Sequence, residues 1–305
     1  MAINTLEYSK LMMQQLDQHA VQGLTSGWME ANAGQVIYNG GDEVKIPTMS
    51  TVGLANYDRD NGFVQGGVSL KFDTYKMTQD RGRTFQLDAM DVDETGFVAT
   101  SANLIKVFQT EQVIPEIDAY RYSKIAAIAK AAGQTEAIAL TADNALDKIR
   151  EHIRAVQDVV GDNVPLILTM STKTRALIEN SSKIGKSINV ADFKQGNMSF
   201  KVKSLDESPI RIAPSARLKT AYDVLDGKTN GQEAGGLKAA AEAKDINWII
   251  TPANVPIAIN KTDKLRVFTP DVNQKADAWK IDFRKYHDLW IKKQKENQIF
   301  VCTTA

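Results

Sequence analysis

Between residues 76 and 95 the chain reads KMTQDRGRTFQLDAMDVDET, two arginines around a glycine followed by four acids within seven positions, Asp88, Asp91, Asp93 and Glu94. Such side chains bind phosphate or metal when their spacing suits. A phosphate loop needs several glycines, so that backbone N–H groups approach the anion, and it leads from a strand into a helix. Arg81-Gly82-Arg83 offers one glycine between two long side chains. Asp91, Asp93, Thr95 and Gly96 match positions one, three, five and six of a calcium-binding helix-loop-helix, but the twelfth position must be a bidentate carboxylate and here is Ala102. The plainer reading is a solvated turn between a strand and a helix, its acids near the positive helix start.

The other constellations fail in the same way. His19, His152 and His287 are far apart, and Glu151-His152 has no second histidine four residues on, so no metalloprotease signature forms. Cys302 with His287 has the residue types of a nucleophile and base, but Cys302 lies in an apolar run, where a buried inert thiol is commoner. Neither a G-x-S-x-G elbow nor a dinucleotide or phosphate-loop fingerprint occurs in a fitting context. Lys292-Lys293-Gln294-Lys295 beside Trp290 is basic, yet with Glu296 and Asn297 it reads as the solvated end of a hairpin. The sequence therefore predicts no catalytic centre, no cofactor, no metal and no base-specific nucleic-acid readout.

The chain has 305 residues, 43% of them hydrophobic, enough to bury a core in one elaborate domain or two modest ones. Lys plus Arg is 37 and Asp plus Glu is 37, a formal net charge of zero. Bulk electrostatics give no reason to expect a protein that wraps duplex nucleic acid, and any such contact must be local. A single cysteine excludes an intrachain disulfide and fits a reducing compartment. The N-terminal stretch reaches Glu7 and Asp17 before any long apolar run, so it reads as neither secretory signal nor membrane anchor.

Residues 1–40 carry scattered apolar positions and then Gly23, Gly27, Gly34, Gly40 and Gly41, and read as an arm, not a core element. Beyond them Val68, Leu70, Phe72 and Thr74 alternate with Ser69, Lys71, Asp73 and Tyr75, the period of a strand with two unlike faces. Asn61-Gly62 separates this run from Val44, Ile46 and Thr48 and is a strong hairpin-turn signal, because both residues tolerate positive φ. The expectation is a two-stranded ribbon of about 15 residues per arm, on the order of 50 Å long. With one sparse apolar face it cannot bury enough surface to stand alone in water and must lie on something.

Pro115 suits a first helical turn, Glu116 and Asp118 follow where negative charge meets the positive helix end, and Gly133 offers a stop, so a helix of roughly 25 Å is expected over 116–132, extended through a kink before Pro115. Leu146, Ile149, Ile153, Val156 and Val160 predict a second helix, and Val164–Met170 a buried strand followed by a further helix. Short strands are expected at 200–205, 210–213 and 247–251, with the Gly- and Ala-rich 227–244 as a mobile excursion. Trp279, Ile281 and Phe283, then Ile299 and Val301, predict antiparallel strands with a turn at Lys295-Glu296-Asn297.

In this order of elements, GRTFQLDAMDVDET and EQVIPEIDAYRYSKIA resemble the major capsid proteins of tailed bacteriophages, whose fold is shared by encapsulins and the herpesvirus capsid floor. The resemblance implies an α+β phage major capsid fold. It has an N-terminal arm (1–40), an extended β-hairpin loop (41–85), a peripheral domain with a long spine helix (86–140 and 265–305), and an axial α/β domain (141–264). It implies a non-enzymatic protein of the virion, made in the host cytoplasm and free of membrane, that self-assembles as pentamers and hexamers into an icosahedral shell around packaged double-stranded DNA. A portal protein and a separate scaffolding protein are the implied partners, because the arm is too short for a built-in scaffolding segment. Arg81, Arg83, Asp88, Asp91, Asp93 and Glu94 would sit where the loop joins the peripheral domain, in ion pairs that set the loop's angle or contact the next subunit. Asp58, Arg59, Asp60 at the loop tip and Lys295, Glu296, Asn297 are further inter-subunit contact candidates. Since the tip has no lysine, the shell is expected to lack the covalent links some relatives make. An encapsulin-like compartment enclosing a cargo enzyme is the alternative, and a soluble α/β enzyme the reading from another class.

Overall fold

The computed structural model describes residues 23–38, 43–60, 62–90, 104–181, 204–205 and 208–305. From the N-terminal side, β1 (Ile37–Tyr38), β2 (Glu43–Thr51) and β3 (Val68–Lys76) form one antiparallel sheet, and β4 (Gln79–Asp88) leaves it for another. Then come α1 (Ile114–Ala131), β5 (Thr135–Ala137), α2 (Ala145–Val160), β6 (Leu166–Ser171) and α3 (Thr172–Glu179). After β7 (Ser204–Leu205) and β8 (Ser208–Ala213), β9 (Tyr222–Leu225) and β10 (Gly236–Ala239) pair with each other. The chain ends in β11 (Ile246–Pro252), β12 (Ile257–Phe268), β13 (Ala278–Trp290) and β14 (Phe300–Thr303).

One sheet lies between two helices. Its order is β5-β14-β11-β6-β8-β7, and β6 and β11 are buried along their whole length, as expected of strands covered on both faces. Successive residues of β11 enter different cores. Ile249 joins Tyr122, Ile125, Ala126 and Ala129 of α1, while Trp248 and Ile250 join Leu146, Ile149, Ile153 and Val156 of α2. A second sheet, β12-β13-β4, lies along the first turns of α1, where Ile117 meets Leu265, Ile281 and Phe283. The 18-residue α1, about 27 Å long, is thus common to both cores.

The expected kink before Pro115 takes the form of a π-helical turn, Gln109–Val113, between helical residues 104–108 and α1. Proline lacks the N–H of an α-helical bond and its ring crowds the carbonyl four residues back; a widened turn relieves both. Gly133, at φ 71, ends the helix in the left-handed region.

Three expectations need correction. The 227–244 stretch is not a free excursion: β9 and β10 form a hairpin whose turn is held by Asp226, which accepts from the Lys228 and Thr229 amides, each at 2.8 Å, and from the Thr229 hydroxyl at 2.6 Å. The last two strands do not pair with each other. β13 pairs with β12 and β4, whereas β14 crosses over a 3₁₀ turn, Lys293–Gln298, to pair with β11 and, in parallel, with β5. Finally, 27–35 is not merely an arm: it is a 3₁₀ segment whose Met29 is 1% exposed inside the main core. The reason is polar. The Thr25 and Ser26 amides and hydroxyls donate to the fully buried Asp118, and Arg121 donates to the Ser26 carbonyl and to Glu30 at 2.6 Å.

Candidate functional site

The ribbon of β2 and β3 pairs over nine residues per strand, Glu43 opposite Lys76 through Thr51 opposite Val68. This register assigns its faces. Val44 and Tyr75, Ile46 and Asp73, Thr48 and Lys71, and Ser50 and Ser69 share one face; Pro47 and Phe72, Met49 and Leu70, and Thr51 and Val68 share the other. At the base the first face is the buried one, with Val44 and Ile46 packed among Met77, Ile257, Ile259, Tyr286 and Trp290. Further out that face turns polar, with the Thr48 hydroxyl donating to Asp73 at 3.3 Å and Lys71 lying 3.6 Å from Asp73. The second face becomes apolar instead, and Met49, Leu70, Phe72 and Val68 are 60, 55, 47 and 68% exposed. Between Ile46 and Met49 the apolar side changes faces. The surface needing burial along the outer ribbon therefore points away from the side that packs on the chain's own body.

The tip is built tightly. Asp58 and Gly62 exchange backbone hydrogen bonds of 2.8 and 3.2 Å, the Asp60 amide donates to the Asp58 carboxylate at 2.9 Å, and Gly62 takes φ 77. Asn61 lies outside the described residues, but the reversal between Asp58 and Gly62 is where the Asn-Gly signal put it. Tyr57 and Phe63 meet across it at a tilt of 55°, with centroids 4.9 Å apart, and Phe63 is 88% exposed.

The base is held by one buried carboxylate. Asp288, fully buried on β13, accepts from the Thr78 amide at 2.9 Å, the Thr78 hydroxyl at 3.0 Å, the Tyr120 hydroxyl at 2.7 Å and the Lys124 ammonium of α1. Thr78 is the second of the two residues between β3 and β4, so this carboxylate ties the ribbon's root to α1. Burial and then the Asp288 charge push the Tyr120 phenol well above its usual range, keeping it a donor.

On β4, Arg81 forms an ion pair with Glu116 of α1 at 2.7 Å and donates to the carbonyls of Leu225 and Gly236 in the β9–β10 hairpin, at 3.0 and 3.2 Å. Arg83 donates to the Glu233 carbonyl at 3.0 Å, and its guanidinium lies where a Cβ on Gly227 or Gly235 would intrude at 3.0 or 3.4 Å. Asp88 caps the Met90 amide at 2.9 Å. Between β4, α1 and this hairpin lies a cleft of about 470 Å³, lined by Phe85, Phe108 and Phe283 together with Arg83 and Lys228. Lys295, Glu296 and Asn297 occupy the 3₁₀ turn, away from the cleft lining, with Glu296 close enough to Tyr75 at the ribbon's root to raise its pKa, after burial and Asp73. Asp91, Asp93 and Glu94 lie outside the described residues.

No three His, Cys, Asp or Glu gather as a metal site among the described residues. Nor is any helix among them long and apolar enough to cross a membrane. Cys302 is fully buried, and burial pushes its thiol up to about 12. His152 accepts from the Trp248 indole at Nδ1 (3.1 Å), which leaves its Nε2–H to donate to the Glu136 carboxylate at 2.7 Å. Burial lowers its pKa, and that of His287 more, where Arg121, Lys285, Lys124 and Arg81 add repulsion. Unfolded, both rings take a proton near pH 6.5, so below that pH the unfolded chain holds more protons. Stability is accordingly complete above about pH 6.5 and is expected to fall on acidification by about 1.4 kcal/mol per pH unit for each ring still neutral in the fold. Denaturant midpoints at pH 7.5 and 5.5 measure this, and His287→Asn should flatten the slope; an unchanged slope would contradict the assignment.

Glu116, Asp118, Arg121 and Asp288 were not singled out by the sequence as partners, since a charged residue within an apolar stripe looks like noise. The face change was readable: Ile46 and Met49 are an odd number apart within one strand.

No protein-family model and no curated protein matches the sequence. Solved structures match most of it. The asymmetric unit of the bacteriophage PhiM1 mature capsid aligns with a TM-score of 0.59 at 13% identity, over 88% of this chain and 84% of that one. The capsid structure of the cyanophage P-SCSP1u aligns at 0.57 and 8%, over 87% and 84%. The virus-like particle from Pyrococcus furiosus aligns at 0.51 and 10%, over 97% and 99%. At such identities the likeness is one of fold, and the fold is that of phage major capsid proteins.

Proposed function

We propose, from the premise that the chain has the phage major capsid fold, that it is a shell-forming structural protein of a virion, made in the host cytoplasm and without catalytic activity. Copies associate as pentamers and hexamers into an icosahedral shell around packaged double-stranded DNA, with a portal protein and a separate scaffolding protein as partners. The observation that carries this is the outer half of the ribbon, apolar on the face turned away from its own body. Exposed apolar surface of this extent marks an interaction site, and a shell of identical copies supplies one ribbon and one receiving surface per subunit. Each contact is weak, but many act together and remain reversible enough for errors to be corrected.

Light scattering on a size-exclusion column, followed by electron microscopy of the large fraction, tests the reading. Closed particles of uniform size are expected; a compact monomer at high concentration overturns it. Denaturing electrophoresis of those particles should show single chains, because the described tip residues include no lysine for a covalent link.

A second reading, a protein compartment enclosing a cargo enzyme, is favoured by one observation: the Pyrococcus furiosus particle matches over nearly the full length of both chains. The contents of native particles, DNA or enzyme, decide between the two.

A further inference from the structure

We propose that the cleft between β4, α1 and the β9–β10 hairpin binds a small phosphate monoester that carries an aromatic ring, the chemistry of a nucleoside monophosphate. The anion's seat is made by Arg83 and Lys228, neither of which forms an ion pair among the described residues. The Arg83 guanidinium lies against the hairpin turn because Gly227 and Gly235, at φ 71 and 68, have no Cβ to displace it. Glycines that the Arg81-Gly82-Arg83 stretch does not itself supply are thus brought to it by the fold. The carboxylates lining the cleft are engaged elsewhere. Glu116 holds Arg81, Asp80 holds Arg284, and Asp226 accepts from the amides of its own turn. Two cations without a carboxylate suit a phosphate monoester, which carries a charge of about −1.5 to −2 at neutral pH and accepts the planar guanidinium fork at two oxygens.

The ring's place is given by Phe85, Phe108 and Phe283, which line the same cleft and meet edge-on, with centroids 4.9 and 5.7 Å apart. Aromatic side chains of this kind accept a stacked base whatever its substituents. A third group orients it. His287 also lines the cleft, is only 2% exposed, and its Nδ1 has no hydrogen-bond partner. Buried polar atoms are nearly always paired, so an unpaired one at a cleft marks the place of a ligand's polar group. The neutral imidazole can meet a donor or an acceptor there, according to its tautomer. At about 470 Å³ the cleft falls within the roughly 300 to 1,000 Å³ of small-molecule sites. Since Arg83 is on β4 and Lys228 on the hairpin, the bound phosphate braces one against the other.

The test is equilibrium dialysis of the purified full-length chain against AMP, phenyl phosphate, adenosine and inorganic phosphate. Particle formation is not read, so the result is independent of the shell reading. AMP and phenyl phosphate should be retained, and adenosine and inorganic phosphate should bind roughly tenfold more weakly or worse. Arg83→Gln and Lys228→Gln change exposed positions and should leave the circular dichroism spectrum as it is, while each weakens AMP about tenfold, the equivalent of one charged hydrogen bond. Lys293→Gln removes the same charge outside the cleft lining and should leave the affinity unchanged. AMP binding more tightly than phenyl phosphate identifies nucleoside monophosphates as the ligand class, and the reverse identifies a smaller aryl phosphate; both support the site. Inorganic phosphate binding as tightly as AMP, an equal loss in Lys293→Gln, or no retention of either aromatic phosphate overturns the proposal.

Discussion

Leu70→Lys is expected to abolish large particles, and Ser69→Lys, one residue away, to leave them intact. Leu70 sits opposite Met49 on the outward apolar face, whereas Ser69 sits opposite Ser50 on the polar one. On the apolar face an ammonium loses the burial of a leucine, about 1.5 to 3 kcal/mol, and adds a desolvation cost of several kcal/mol in any dry contact. At tenfold per 1.4 kcal/mol, each contact would weaken by roughly a thousandfold or more, and the loss recurs in every subunit. The isolated fold should be indifferent, because Leu70 is already 55% exposed. Circular dichroism and thermal melting of both variants should therefore match the parent, while light scattering separates them. Ser69→Lys blocking assembly while Leu70→Lys permits it would place the neighbour on the wrong side of the ribbon.

The second large effect belongs to Asp288→Asn. The carboxylate is fully buried and accepts from Thr78, Tyr120 and Lys124 together. Neutralising it leaves a cation beside a buried amide and turns one acceptor edge into a donor facing donors. Breaking a buried pair in this way costs about 3 to 5 kcal/mol, which at this size lowers the melting temperature by roughly 10 °C. Asp80→Asn is the control: Asp80 pairs with Arg284 at 2.5 Å, but the side chains are 40 and 60% exposed, and such pairs contribute about 0 to 1 kcal/mol. Equal losses in the two variants would mean that the ribbon's root is not held by Asp288.

Taken by itself, the sequence determined what depends on neighbours along the chain. Alternation identified the ribbon, Asn-Gly its reversal, the 3-4-3-4 spacing of Leu146 to Val160 the helix α2, and the long apolar run the strand β6. These are periodic signals, and solvent reads them locally. The tertiary structure decided which strands share a sheet: the turn at Lys293–Gln298 looks like a hairpin end, yet it carries β14 to the other sheet, because Val301 and Cys302 fill cores on opposite faces of β11 and β6. It also decided why Met29 is core and not arm, and why Asp118, Arg121 and Asp288 tolerate burial. A buried charge is stable only where several donors or acceptors from distant parts of the chain converge on it, and no local pattern of residues records that convergence.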